Sequence, residues 1–301
     1  MTRGAAARPG QLPHWAAWPG LLTAVVLTGG PLIVVAIFSF LSQPEFGGGV
    51  VWVPTLEAYR RFFVETDFLG NSSINLAYVN VFLLSFWLAA ITTIACILLG
   101  FPLALWMSNQ SRRAQNVLVL LVTIPFWTNL LVRTYAWLLV LNENGVVNDI
   151  TDALGLGRFQ LLYTPFASGI GLVYTFLPFM VLPIYALLER FDFRLAEAAY
   201  DLGANRWTVL RRIVYPAARP GIIAGVFLVF VPALGSYVQP ALLGGGKDLL
   251  VGNLIAAQFG DARNWPFGSA LSMILLAVLL LALVVVLLWR RRTGTKVELT
   301  A

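Results

Sequence analysis

The chain has 301 residues, of which 59% are hydrophobic and only 11% charged, with a mean hydropathy of +0.80. Soluble domains carry about a quarter of their residues as Asp, Glu, Lys and Arg, so this composition excludes a soluble globular protein and specifies one that lives in a bilayer. The net charge of +6 then reports membrane topology and contact with anionic headgroups, and it gives no support to a nucleic-acid partner.

Six stretches are long and apolar enough to cross a membrane: Pro19–Leu41, Tyr78–Trp106, Val117–Leu141, Phe166–Leu188, Gly221–Leu243 and Phe267–Trp289. A helix needs about 20 residues to span a hydrocarbon core of about 30 Å. Because backbone in lipid must satisfy its own hydrogen bonds, helices are expected over barrel strands. The expectation is an all-α polytopic protein with six transmembrane helices, organised as a single transmembrane domain over residues 1–301.

The first span follows a short basic segment, but its apolar core is long for a secretory signal and no small-residue cleavage site stands near Ser42, so it reads as a retained helix. Between the first two spans, Pro54–Phe63 carries Leu56, Tyr59, Phe62 and Phe63 at loose helical spacing, which suits a short helix on the outer membrane surface. The single cysteine, Cys96, falls mid-span and reads as a small packing residue. Arg133 is the one ion inside a span. Such residues suggest function, and Arg133 is expected to snorkel outward or pair with Glu143, in a structural or gating role.

With both termini in the cytoplasm, the inner segments hold Arg3, Arg8, Arg112, Arg113, Arg190, Arg194, Arg206, Arg211, Arg212, Arg219, Arg290, Arg291, Arg292 and Lys296, against Arg60, Arg61, Arg158, Lys247 and Arg263 outside. This asymmetry favours that orientation. The outer segments are acidic, through Glu45, Glu57, Glu65, Asp67, Glu143, Asp149, Asp152, Asp248 and Asp261. They read either as a solvated face or as a surface that favours a cation or its carrier.

Enzyme chemistry is poorly represented. The sole histidine, His14, lies in the N-terminal tail, which excludes a Ser-His-Asp or His-rich metal site, and no catalytic residue or metal ligand is identified. Gly244-Gly245-Gly246-Lys247 superficially suggests a phosphate-binding loop. Ala241 occupies the position of its first glycine and Asp248 that of its Ser or Thr, so a tight turn after the fifth helix is expected instead.

The segment between the fourth and fifth spans, about residues 189–220, is polar and basic. Leu195–Leu202 can form a short helix, Gly203 suits the left-handed residue that ends it, and a second helix runs from Arg206 to about Tyr215. Pro216 and Pro220 are expected to break that helix before Gly221 opens the fifth span. The small residues Ala198, Ala199, Gly203 and Ala204 leave a face that another protein can approach closely, and Glu197 and Asp201 lie four apart on one side. Composition leaves a second reading open, an amphipathic interfacial helix whose arginines seek lipid phosphates.

Resemblance decides between these readings. Glu197-Ala198-Ala199, Gly203-Ala204, Ile213, Pro216 and Pro220-Gly221-Ile222 match, in order and spacing, the EAA loop of permease subunits of bacterial ABC importers. Tyr215 stands where that family commonly has leucine. Further segments, Pro125–Asn129, Leu131–Trp137, Leu177–Met180, Leu250–Ile255 and Asn264–Gly268, resemble the first permease subunit of spermidine/putrescine importers. The resemblance implies a type I importer permease fold and a coupling surface made of Glu197, Ala198, Ala199, Asp201, Gly203 and Ala204. The partners it implies are two copies of a separate ATP-hydrolysing subunit, a second permease subunit and an extracytoplasmic binding protein. ATP and magnesium would reside on the ATPase, with no cofactor in this chain.

A polyamine carries about two to four positive charges, which a low-dielectric route must compensate. The six spans contain no Asp or Glu, but they contain Trp127, Tyr135, Trp137, Tyr174, Phe176, Phe179, Phe230 and Tyr237. Their ring faces offer cation–π contacts worth about 0.5–2 kcal/mol each, weak enough for a route of passage. The same rings also suit core packing or interfacial belts. Two other functions stand beside this one. A secondary carrier is disfavoured because the spans offer no carboxylate or histidine for proton coupling, although carbonyl sodium sites would serve it. A non-transporting scaffold that recruits a cytoplasmic partner is the other.

Overall fold

The computed structural model describes residues 18–45, 48–66, 72–246 and 249–292. His14, Asp67, Lys247 and Asp248, together with Arg3, Arg8 and Lys296, lie outside the described residues. Helix α1 (Trp18–Phe38) leads into an antiparallel pair, β1 (Leu41–Ser42) and β2 (Val51–Pro54), then α2 (Glu57–Arg61) and a second antiparallel pair, β3 (Val64–Thr66) and β4 (Ser72–Ile74). The long α3 (Ala77–Ser108) is followed by α4 (Arg112–Trp127), α5 (Leu130–Leu141) and α6 (Val146–Ala153). Helix α7 (Pro165–Leu188) precedes α8 (Arg194–Asp201), α9 (Arg206–Val209) and α10 (Tyr215–Gly235). The chain ends with α11 (Val238–Leu243), α12 (Val251–Phe259) and α13 (Trp265–Arg292).

Among the described residues, five helices are long and apolar enough to cross a membrane, and a sixth crossing exists if the bent pair Arg112–Trp127 and Leu130–Ala153 is one span. That pair corrects the expected continuous third span. Its two arms meet at 94° because Thr128 and Asn129 are extended and the Asn129 side chain caps α5, accepting from Leu131 N at 2.8 Å. The fifth span is corrected likewise. Helix α10 stops at Gly235, Ser236 is extended, and α11 begins two residues later. Pro216 and Pro220 do not interrupt the path into it either. A π-helical turn over Leu210–Val214 joins α9 to α10, and Pro216 sits at the start of α10. There a missing N–H costs little, and the wide turn absorbs the change of register.

Contacts divide the chain into two compact units, Met1–Ile74 with Ala257–Ala301, and Asn75–Ala256. In the first unit α1 packs on α13, and so does α2, with the Arg61 guanidinium 5.3 Å from the centre of the Phe267 ring. The outer helix expected over Pro54–Phe63 shrinks to α2, because Pro54 belongs to β2 and Thr55 Oγ1 accepts from Glu57 N at 3.2 Å to turn the chain. Helix α1 is apolar on every side and, although it touches α13, has no fully buried residue in its apolar stretch, as befits a helix that faces lipid or a neighbouring subunit.

The second unit is built on three mutually packed helices, α3, α7 and α10. Their backbones come close. A Cβ placed on Gly221 would lie 2.6 Å from Pro183 O, so glycine is required for α10 to cross α7 here, in the manner of small residues at membrane helix contacts. Cys96 is buried in this unit, near Val173 O at 3.9 Å. A smaller cluster of Leu141, Leu162, Ala167 and Leu243 ties α5, α7 and α11 together.

Candidate functional site

Two places in the second unit combine specific geometry with exposed chemistry. The first is the elbow formed by α8 and α9. Helix α8 opens with Arg194 N donating to Asp192 Oδ1 at 3.0 Å and ends on Gly203, whose φ is +84°. Gly203 N donates to Tyr200 O at 2.9 Å and Ala204 N to Ala199 O at 3.0 Å. These two bonds form a Schellman turn, which closes the last carbonyls of α8. Asn205 then caps α9, accepting from Thr208 N at 2.8 Å. Every hydrogen bond of this reversal depends on residues within about ten positions, which makes the elbow a self-contained unit.

The elbow is anchored from below by Ala196, Val209 and Val214, all buried, around a cavity of about 410 Å³ that Glu197 and Tyr200 also line. Glu197, Ala198, Asp201 and Gly203 are exposed, and Ala199 and Ala204 are half-buried. The structure therefore brings all six expected coupling residues onto one protruding segment. It adds residues the sequence did not single out for this surface. Leu202 at the apex is 88% exposed, and Trp207 and Leu195 are also exposed. These apolar groups suit a protein groove better than water. At the base of the elbow, Arg112 at the start of α4 forms an ion pair with Glu189 at the end of α7, which links the elbow's entry to the bent pair. Only their spacing across 77 residues concealed it.

The second place is a cavity of about 400 Å³ where both helix breaks meet, lined by Phe126, Leu130, Arg133, Thr175, Phe176, Phe179, Pro232, Gly235, Ser236, Tyr237, Val238 and Gln239. A short polar chain crosses it. Ser236 Oγ donates to Gln239 Oε1 at 2.5 Å, and Gln239 Nε2 donates to Thr175 Oγ1 at 3.1 Å. Asn253 Nδ2 donates to Tyr237 O at 3.1 Å, while its Oδ1 is buried without a partner. Sequence reasoning missed Thr175, Ser236, Gln239 and Asn253. They are neutral and isolated in apolar runs, and only the fold gathers them.

The expected route aromatics separate into three groups, apart from Phe230, which packs against Phe86 with ring centres 5.8 Å apart. Phe176, Phe179 and Tyr237 line this cavity beside Arg133, and the Phe179 ring centre lies 4.5 Å from that of Phe126, edge-on, and 6.1 Å from that of Phe176, at a tilt. Trp137 and Tyr174 pair edge-on at 5.7 Å, but they line a different cavity, an apolar one of about 620 Å³ that also touches Trp87 and Phe166. Trp127, 85% exposed, and Tyr135 lie at neither cavity. Arg133 does not pair with Glu143. The bend at Thr128 and Asn129 sets Arg133 in the first turn of α5, on the cavity, and its Nε is buried with no hydrogen-bond partner.

A helical chain with five or six apolar crossings, an exposed elbow and a cavity at broken helices has the architecture expected of the membrane component of a solute transport assembly. Residues 97–292 match the family described as binding-protein-dependent transport system inner membrane component, and the chain belongs to that family. It is a multi-pass membrane permease component. It is 40% identical over 272 residues to the spermidine/putrescine transport system permease protein PotB of Haemophilus influenzae, covering 89% of this chain and 91% of that one. It is 39% identical over 273 residues to the PotB protein of Escherichia coli, covering 89% and 94%. The fold is similar to a chain in the crystal structure of a bacterial alginate ABC transporter in complex with an alginate pentasaccharide-bound periplasmic protein. There the TM-score is 0.67 at 17% identity, over 93% of this chain and 96% of that one.

Proposed function

We propose that this chain is a permease subunit of an ATP-driven ABC importer for polyamines such as spermidine and putrescine, and that it forms half of the route across the membrane. The observation that carries the solute class is 40% identity to a spermidine/putrescine permease over nearly the whole of both chains. The Glu197–Ala204 elbow docks on a separate ATPase, of which two copies serve the importer. The Schellman turn at Gly203 supports this role, since it closes a hydrogen-bonded segment on which Leu202 and Glu197 are exposed. A second permease completes the route, and a binding protein delivers the solute to the outer face, with both termini of this chain in the cytoplasm. ATP closes the ATPase pair, and the elbow passes that motion to the broken helices.

The test is uptake of labelled spermidine by the assembled importer in proteoliposomes, with ATP enclosed on the ATPase side. Uptake is expected to require ATP, to survive collapse of proton and sodium gradients, and to be competed by putrescine and scarcely by organic carboxylates. Uptake that follows an ion gradient without ATP overturns the importer reading. Preferential competition by carboxylates overturns the polyamine reading alone.

A further inference from the structure

Arg133 is a cation that its own chain does not neutralise. Its Nε is buried without a hydrogen-bond partner, and among the described residues no carboxylate pairs with it. Helices α4, α5, α7, α10 and α11, which together line its cavity, contain no Asp or Glu at all. The first turn of α5 carries the helix's own partial positive charge, which opposes a cation there. Gln239 does not neutralise it, because a neutral amide carries no charge and its bonds run to Ser236 and Thr175 rather than to Arg133. Arg133 is half-buried, with its Nε sealed from solvent; an ion so placed inside an apolar span is costly unless paired, and the adjoining space of about 400 Å³ accommodates a side chain from outside the chain.

We propose that an Asp or Glu side chain of the second permease subunit enters this cavity and pairs with Arg133. The same carboxylate is the counter-charge that a passing cation meets, which explains how a route without acids of its own serves an ammonium group. At rest Arg133 holds the carboxylate and the route is closed. A solute ammonium competes for it, and the pair parts as the solute moves through. This inference rests on the polyamine reading; an anionic solute would offer Arg133 the same carboxylate chemistry, and the experiment separates the two sources.

The experiment uses the complete importer with its ATPase and binding protein. Competition of spermidine uptake by putrescine and by organic carboxylates on the unaltered importer tests the solute class by itself. Arg133→Gln is then combined, one at a time, with Asn or Gln in place of each acidic residue in the spans of the second permease. Arg133→Gln is expected to raise ATP hydrolysis in the absence of binding protein, and to lower spermidine uptake, by about fivefold. One acidic position in the second permease should reproduce both effects, and its combination with Arg133→Gln should be no worse than either change alone. Arg133→Lys should restore low resting hydrolysis, which a merely structural failure would not do; if Arg133→Gln does not assemble, Arg133→Met, which keeps a long stem without the charge, takes its place in the same comparison. Effects that multiply at every acidic position overturn the borrowed-carboxylate inference and leave the polyamine reading standing. Competition by carboxylates that disappears in Arg133→Gln assigns the pairing group to the solute and overturns both.

Discussion

Gly203 offers the sharpest test of the elbow, because its environment separates backbone conformation from packing. Its φ is +84°, yet a Cβ built there meets nothing within 4 Å. The Cβ of Gly203→Val therefore meets no neighbour, and the substitution acts chiefly through the left-handed conformation. An L residue in that region costs about 1–2 kcal/mol, and a β-branched one lies at or above the upper end. At about 1.4 kcal/mol per tenfold in an equilibrium constant, Gly203→Val should lower the ratio of docking-competent to rearranged elbows by about thirtyfold. Gly203→Asn tolerates the left-handed region and should lose little. The assay is binding of the ATPase subunit to the purified permease pair, read beside ATP-driven uptake, with membrane insertion as the control. Normal binding and uptake by the Val variant would refute the coupling role. Equal loss in Val and Asn would refute the conformational reasoning and point instead to close approach by the partner at this glycine.

The remaining predictions use other parts of the chain. Glu197→Lys reverses an exposed charge at the elbow, so it should impair ATPase binding several-fold while leaving the detergent melting temperature of the subunit unchanged; a fall in melting temperature with normal binding would place Glu197 in folding. Gly221→Val puts atoms 2.6 Å from Pro183 O between α10 and α7, and overpacking of this kind costs about 1–3 kcal/mol, read as a lower melting temperature and reduced membrane yield. Phe179→Ala should lower the rate of spermidine uptake, since that ring lines the Arg133 cavity, whereas Trp127→Ala, at a ring 85% exposed and away from it, should leave the rate within about twofold. The opposite ranking in an uptake assay would remove this cavity from the route.

Helix existence was legible in composition, but helix continuity was not. An apolar run of more than 20 residues announces a crossing wherever it stands, which is why α3, α7 and α13 lie close to their expected bounds. Val117–Leu141 looks equally continuous, yet the Asn129 cap and extended Thr128 divide it. Capping groups inside an apolar run are easily passed over, since hydropathy averages them away. The prolines misled in the other direction. Pro216 and Pro220 are compatible with one helical path because a π turn precedes them, a device that leaves no periodic signature. The elbow was readable because its hydrogen bonds are local; the Arg133 cavity was not, because Thr175 and Gln239 are separated by 64 residues and come together only through packing.

Two breaks meeting at one cavity have a common physical meaning. Lipid-exposed backbone cannot forgo its hydrogen bonds, so interrupted helices persist only where protein or a polar cavity satisfies them. At the α10–α11 break, Ser236 turns to Gln239 and Asn253 donates to the Tyr237 carbonyl; at the α4–α5 break, Asn129 supplies the cap. On the proposed route, neutral groups of this kind would orient a passing solute without holding it, and the rings of Phe179 and Tyr237, which line the cavity, would add contacts of similarly modest strength. A permanent carboxylate on this chain would hold a polyamine too firmly at one point. The proposed placement of the strong charge on the second permease, held by Arg133, would let attraction rise and fall with the motion of two subunits.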